Sequence, residues 1–180
     1  MFRSVVLFSL LAISAFGNSI VSQDSSRQEP RRPYGVPEAS LPCTPEEQAW
    51  WKELREAGNE LRGSFRAGDK QKKRFLSALH DATAKSFKPP IPDSRPVVLY
   101  KTEPRYTEAA RQRGAAGTIS VQVELLADGT VGEIKILQPL DPDLDQSAAD
   151  AARKTIFLPA VKDREFVSAN IRLVMNFNLY

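Results

Sequence analysis

Between Gly117 and Leu137 the apolar positions alternate. Ile119, Val121, Val123 and Leu125 stand among Ser120, Gln122 and Glu124, which is the period of a strand with one face buried. Asp128-Gly129 follows, a pair suited to a tight turn whose central residues need positive φ. Val131, Ile134 and Ile136 then resume the pattern among Glu133 and Lys135. The parity shifts across Gly132, which predicts a bulge just after the turn. The stretch GTISVQVELLADGTVGEIKIL therefore reads as a β-hairpin. A hairpin alone is marginal in water, so its neighbours must cover the apolar face. The clearest strand outside it is C-terminal: Ala169, Ile171, Leu173, Met175, Phe177 and Leu179 alternate with Asn170, Arg172, Val174, Asn176 and Asn178.

Helical spacing frames these strands. Tyr106 to Gln112 has helical character and is ended by Gly114, after a short strand expected at Val97 to Tyr100. Asp141-Pro142-Asp143 opens a second helix through Leu144, Ala148, Ala151 and Ala152, its acidic start matching the dipole at a helix N-terminus. Phe157-Leu158-Pro159-Ala160 reads as an extended apolar stop. The fold class is thus α+β: a small antiparallel sheet, hairpin plus C-terminal strand, with two helices on one face. A helical segment precedes it. Thr44-Pro45-Glu46-Glu47 carries an N-cap, a proline at the first helical position and a glutamate three residues after the cap. Trp50, Leu54, Ala57, Leu61 and Phe65 continue along one helical face. Gly68-Asp69 breaks it, and Phe75, Leu79 and Ala82 mark a second helix whose start, Lys70 to Arg74, is unfavourably basic. The reading is a helical hairpin over 44–88, a Pro-rich linker over 89–94, and a domain over 95–180. Residues 92–180 are expected to fold without the helices.

The N-terminus reads as an export signal. Arg3 is a short basic region, Ser4 to Phe16 is apolar, and Ala15-Phe16-Gly17 has the small residues a signal peptidase accepts, so residues 1–17 are expected to be removed. The alternative is an uncleaved inner-membrane anchor. A spanning helix wants roughly 20 apolar residues, a length this run reaches only by including Gly17, Asn18 and Ser19. Residues 18–43, rich in Ser, Arg and Pro, read as a disordered tether. The expected location is the periplasm.

Charge and chemistry narrow the function. The formal charge is +3, and residues 91–180 hold 11 basic against 12 acidic side chains, so the domain lacks the basic footprint that nucleic acid requires. Cys43 is the only cysteine and His80 the only histidine, which excludes a disulfide framework and a Cys/His metal site. Asp141, Asp143 and Asp145 have the spacing of a calcium loop. Pro142 interrupts it and Ala152 stands where a bidentate glutamate is needed, so they read as helix capping. No phosphate loop and no nucleophile with its base is present, so the reading is a binding protein with no catalytic residues, cofactor or metal.

The series Pro104-x-Tyr106, Ala110-Arg111, Gly114, Gly117, Asp128-Gly129-x-Val131, Leu144-Asp145-x-x-Ala148 and Phe157-x-Pro159-Ala160 resembles the C-terminal domain of TonB-family energy transducers over about residues 95–180. Thr107 stands where that family commonly has proline, Thr155 where it has an aromatic, and Arg164 near a usual glycine. The resemblance implies capture of an extended segment of an outer-membrane transporter by strand addition, with inner-membrane motor proteins supplying force if the chain is anchored. The strand Ala169 to Leu179 suits such a role as a sheet edge. It carries no Pro or Lys, and its outward side chains are Asn170, Arg172, Val174, Asn176 and Asn178. The resemblance implies the same strand, with Tyr106 and Arg111 nearby. The alternatives are a homodimer through this strand, and a structural envelope scaffold or oligomerising adaptor without a transport role.

Overall fold

The computed structural model describes residues 35–63 and 68–179. The signal segment, residues 18–34 of the tether and Phe65 lie outside the described residues.

Helix α1 (Pro45–Gly63) begins with a reciprocal capping box. The Glu47 N–H donates to Thr44 Oγ1 at 3.2 Å, and the Thr44 N–H donates back to Glu47 Oε2 at 2.9 Å. Helix α2 (Asp69–Lys85) packs against it, so that Trp50, Trp51, Leu54, Ala57 and Leu61 meet Phe75, Ala78, Leu79 and Ala82. The basic start of α2 is offset by α1, whose Glu53, Glu56 and Glu60 surround Arg74. Residues 35–43, expected to be the end of a disordered tether, instead lie along this pair. Val36 is buried, Trp51 Nε1 donates to the Pro37 carbonyl at 3.0 Å, and the Ser40 and Leu41 N–H groups donate to the Pro90 carbonyl.

The domain follows the expected layout. Strands β2 (Gly117–Leu125) and β3 (Val131–Gln138) form the hairpin, and β7 (Ala169–Phe177) pairs with β2 antiparallel from Gly117↔Phe177 to Leu125↔Ala169. The sheet order is β3-β2-β7. The bulge expected after the turn is present: Val123 pairs with Ile134 but Leu125 with Val131, leaving an extra residue in β3. Helices α3 (Glu108–Gln112) and α4 (Pro142–Arg153) complete the layer. Ala110, Leu144, Ala148 and Ala152 share a core with Ile119, Val121, Val123, Leu125, Leu173, Met175 and Phe177.

Two further pairings were not legible in the chain. Strand β1 (Val97–Tyr100) pairs with β4 (Ile156–Leu158), and β5 (Ala160–Lys162) with β6 (Glu165–Val167). The β5–β6 turn places Asp163 at φ 52° and Arg164 at φ 61°, left-handed backbone that favours glycine. That explains why a glycine is usual near Arg164 in the resembling sequences.

The expectation that residues 92–180 fold without the helices has to be revised. Leu99, Ile156, Leu158 and Val161 belong to the core of α1 and α2, as does Ile91 within the supposed linker. Each such side chain is worth roughly 1.5–3 kcal/mol of burial, and the fragment would leave these faces bare. Trp50 of α1 also meets Phe166 of β6, ring centroids 6.4 Å apart, and Lys72 of α2 sits 4.9 Å from the Tyr100 ring. The hairpin tip closes the contact: at Gly129 (φ 87°) an added Cβ would meet Leu79 Cδ2 at 2.3 Å.

Two outcomes follow for stability. Gly129→Ala is expected to cost about 2–3 kcal/mol, from backbone strain plus overpacking, and about 1 kcal/mol less in a Leu79→Ala background. Denaturant unfolding of the double-mutant cycle checks this, and equal costs in both backgrounds would separate the hairpin from α2. Arg164→Gly is expected to gain about 1 kcal/mol by relieving the left-handed residue. Its pairing with Glu47 is too loose, at 3.8 Å, to offset that. A loss on urea unfolding would contradict the assignment.

Candidate partner-docking edge

Strand β7 is an edge of its sheet. Its inward side chains, Leu173, Met175 and Phe177, are buried because they complete the core under β2. Asn170, Arg172, Val174 and Asn176 point to the open face and are exposed, Val174 to 48%. Asn178 lies just past the strand end and is also exposed. Asn176 is tied to its neighbour, its Oδ1 accepting from Thr118 Oγ1 at 3.0 Å.

The backbone direction of the edge can be read from one contact. Lys101 Nζ, just beyond β1, donates to the Val174 carbonyl at 3.4 Å. That carbonyl therefore faces away from β2, and in an antiparallel ladder the N–H of the same residue points with it. By the two-residue period, Arg172, Val174 and Asn176 all turn their N–H and C=O groups outward, while Leu173, Met175 and Phe177 bond to β2. Among the described residues no backbone group pairs with the outward side of β7.

Tyr106 and Arg111 come to the C-terminal end of this strand. The Tyr106 ring stands edge-on to Phe177, centroids 5.8 Å apart, and the Arg111 guanidinium lies 5.2 Å from the Tyr106 ring centre. The Tyr106 hydroxyl donates to the Ala115 carbonyl, fixing the ring over the strand end. Thr107, where proline is common in the resembling sequences, caps α3 by accepting from the Ala110 N–H.

What holds this corner in place is Arg113. Its guanidinium makes a two-pronged contact with Asp141 at 2.9 and 2.8 Å and reaches Asp143. Asp141 is 8% exposed and also caps α4, accepting from the N–H groups of Asp143 and Leu144. Ser147 Oγ adds a bond to the Arg105 carbonyl at 2.7 Å. The segment entering α3 is thereby pinned to the start of α4. Sequence reasoning passed over both Arg113 and Lys101. Neither lies in a motif, and their partners are 28 and 73 residues away.

The chain was compared with known proteins. The profile of the Gram-negative bacterial TonB protein C-terminal family matches residues 102–179, from the segment after β1 to just past the end of β7. Over those residues the chain is similar to the C-terminal domain of TonB proteins. Protein TonB of Vibrio cholerae is 32% identical over 92 residues, covering 51% of this chain and 38% of that protein. The tonB2 protein of Pseudomonas aeruginosa is 28% identical over 89 residues, covering 49% and 33%. The chain therefore aligns with about a third of the length of these curated relatives. In structure it is similar to the TonB C-terminal domain of Pseudomonas aeruginosa, at 26% identity and TM-score 0.40, covering 48% of this chain and 89% of that one. It is also similar to that of Helicobacter pylori, at 21% identity and TM-score 0.31, covering 42% and 80%. Helices α1 and α2 precede the matched TonB residues.

The Arg113–Asp141 pair gives this domain an acid-sensitive joint. Hydrogen bonding from Arg113 holds the Asp141 carboxyl below its usual range, with the α4 N–H groups adding to it, while the guanidinium is held up in turn. A carboxylate depressed in the folded state stabilises above its unfolded pKa, and that stability is lost as pH falls through the folded value. Wild-type unfolding free energy is expected to drop more between about pH 5 and about pH 2 than that of Asp141→Asn, which keeps a capping side chain but no charge. Parallel pH profiles for the two proteins would show that the pair contributes nothing.

Proposed function

We propose that this protein is a periplasmic binding module that takes up an extended segment of an outer-membrane transporter by strand addition on the outer edge of β7. The observation that carries the reading is the row of outward backbone groups at Arg172, Val174 and Asn176 that no other strand covers, touched only at the Val174 carbonyl by Lys101, in a strand without Pro, Lys or acidic residues. The match of residues 102–179 to the TonB C-terminal family supports it. Main-chain bonds would supply the affinity, and Arg172, Val174, Asn176, Asn178 and the Tyr106–Arg111 corner the selectivity. The chain acts by binding and needs no cofactor.

Energy coupling depends on residues 1–17. Retained as an inner-membrane anchor, they would place the module beside motor proteins; removed, they leave a soluble periplasmic adaptor. Among the described residues no helix is long and apolar enough to cross a membrane.

Peptides from the plug ends of co-expressed outer-membrane transporters test the proposal by calorimetry. Val174→Pro deletes an outward N–H and leaves the β2 ladder intact. It is expected to weaken binding about tenfold, the effect of one lost bond plus the ring's bulk at the edge. Val174→Thr, which keeps the N–H, should bind as wild type does. Unchanged binding by a folded Val174→Pro protein, or no binding by wild type, would overturn strand addition on this edge.

A further inference from the structure

An open edge strand invites pairing with a second copy of the same chain, and natural proteins commonly block this with a lysine on the strand itself. Strand β7 has none. The fold supplies one from elsewhere. Lys101 follows β1, which is held by β4 and the helical core, and its ammonium rests on the outward carbonyl of Val174. We propose that Lys101 is the guard of this edge: it keeps two copies of the protein from pairing through β7.

The geometry says why one lysine suffices. Two β7 strands paired antiparallel about Val174 would set Arg172 opposite Asn176 and Asn170 opposite Asn178, and none of these pairs opposes like charges. Val174 would face its own copy, and it is half exposed and apolar, so the centre of such a pair is otherwise favourable. Both Lys101 ammonium groups would then meet at the symmetry axis, each already bonded to the carbonyl that the other strand needs. Like charges directly opposed across a strand pair are destabilising. Lys101 is exposed and no acidic side chain pairs with it among the described residues. Its charge is therefore not neutralised within the chain.

The test is the oligomeric state of protein purified after expression of the full chain, measured by sedimentation over a range of concentrations at low salt. Lys101→Ser removes charge and reach without adding apolar surface. It is expected to tighten self-association about tenfold relative to wild type, while Lys101→Arg stays as wild type. Val174→Pro placed on Lys101→Ser should abolish the gain, because it deletes an N–H the second copy would use. The assignment is overturned if Lys101→Ser sediments as wild type does. It is also overturned if its self-association survives Val174→Pro, which would put the contact on another surface. Neither result depends on a transporter peptide binding, so this inference and the strand-addition reading fail separately.

Discussion

Everything in this fold hangs on a strand of three residues. Ile156, Phe157 and Leu158 of β4 are buried on both faces: Phe157 enters the core under the three-stranded sheet, while Ile156 and Leu158 enter the core of the helical pair. A strand alternates its side chains between two faces, so burying all three requires a layer on each side. The sheet and α4 are one layer, and α1 and α2 are the other. Without the helices, Ile156, Leu158 and Leu99 would face water; without the sheet, Phe157 would. The two cores are therefore coupled through β4, and the helices become part of the unit that presents the domain.

The same strand decides what is left open. Because β4 pairs with β1, the chain after Tyr100 emerges beside β7 and delivers Lys101 to Val174, then Tyr106 to Phe177. It does so without laying down a fourth strand on the sheet, and Pro104 lacks the N–H such a ladder would require. The edge is thus flanked and lightly guarded, not covered. The Arg113–Asp141 joint keeps the flanking segment in this position from the other end.

Much of this was legible in the chain because it is local. Alternation gave β2, β3 and β7; Thr44-Pro45-Glu46-Glu47 and Asp141-Pro142-Asp143 announced their caps; and the parity break at Gly132 announced the bulge. The β5–β6 turn was hidden because Asp163-Arg164 takes a left-handed geometry without glycine. The sharing of cores was hidden for a different reason. Phe157-Leu158-Pro159-Ala160 is a short apolar run, and such a run does not say which neighbour covers which face. The edge strand β7 was identifiable from its alternation and lack of blocking residues. Which of its backbone groups face outward required a contact 73 residues apart in sequence.

The central claim is that the outward N–H groups of β7 are free and become paired when a partner strand is added. Residue-resolved amide hydrogen exchange by NMR, with and without a transporter plug-end peptide, addresses it directly. In the free protein the amides of Leu173, Met175 and Phe177 should exchange slowly, being bonded to β2, while those of Arg172, Val174 and Asn176 exchange fast. On adding the peptide, the fast set should become protected and the slow set should change little. Protection appearing on β3 or the helices, with Arg172, Val174 and Asn176 still exchanging freely, would contradict the account.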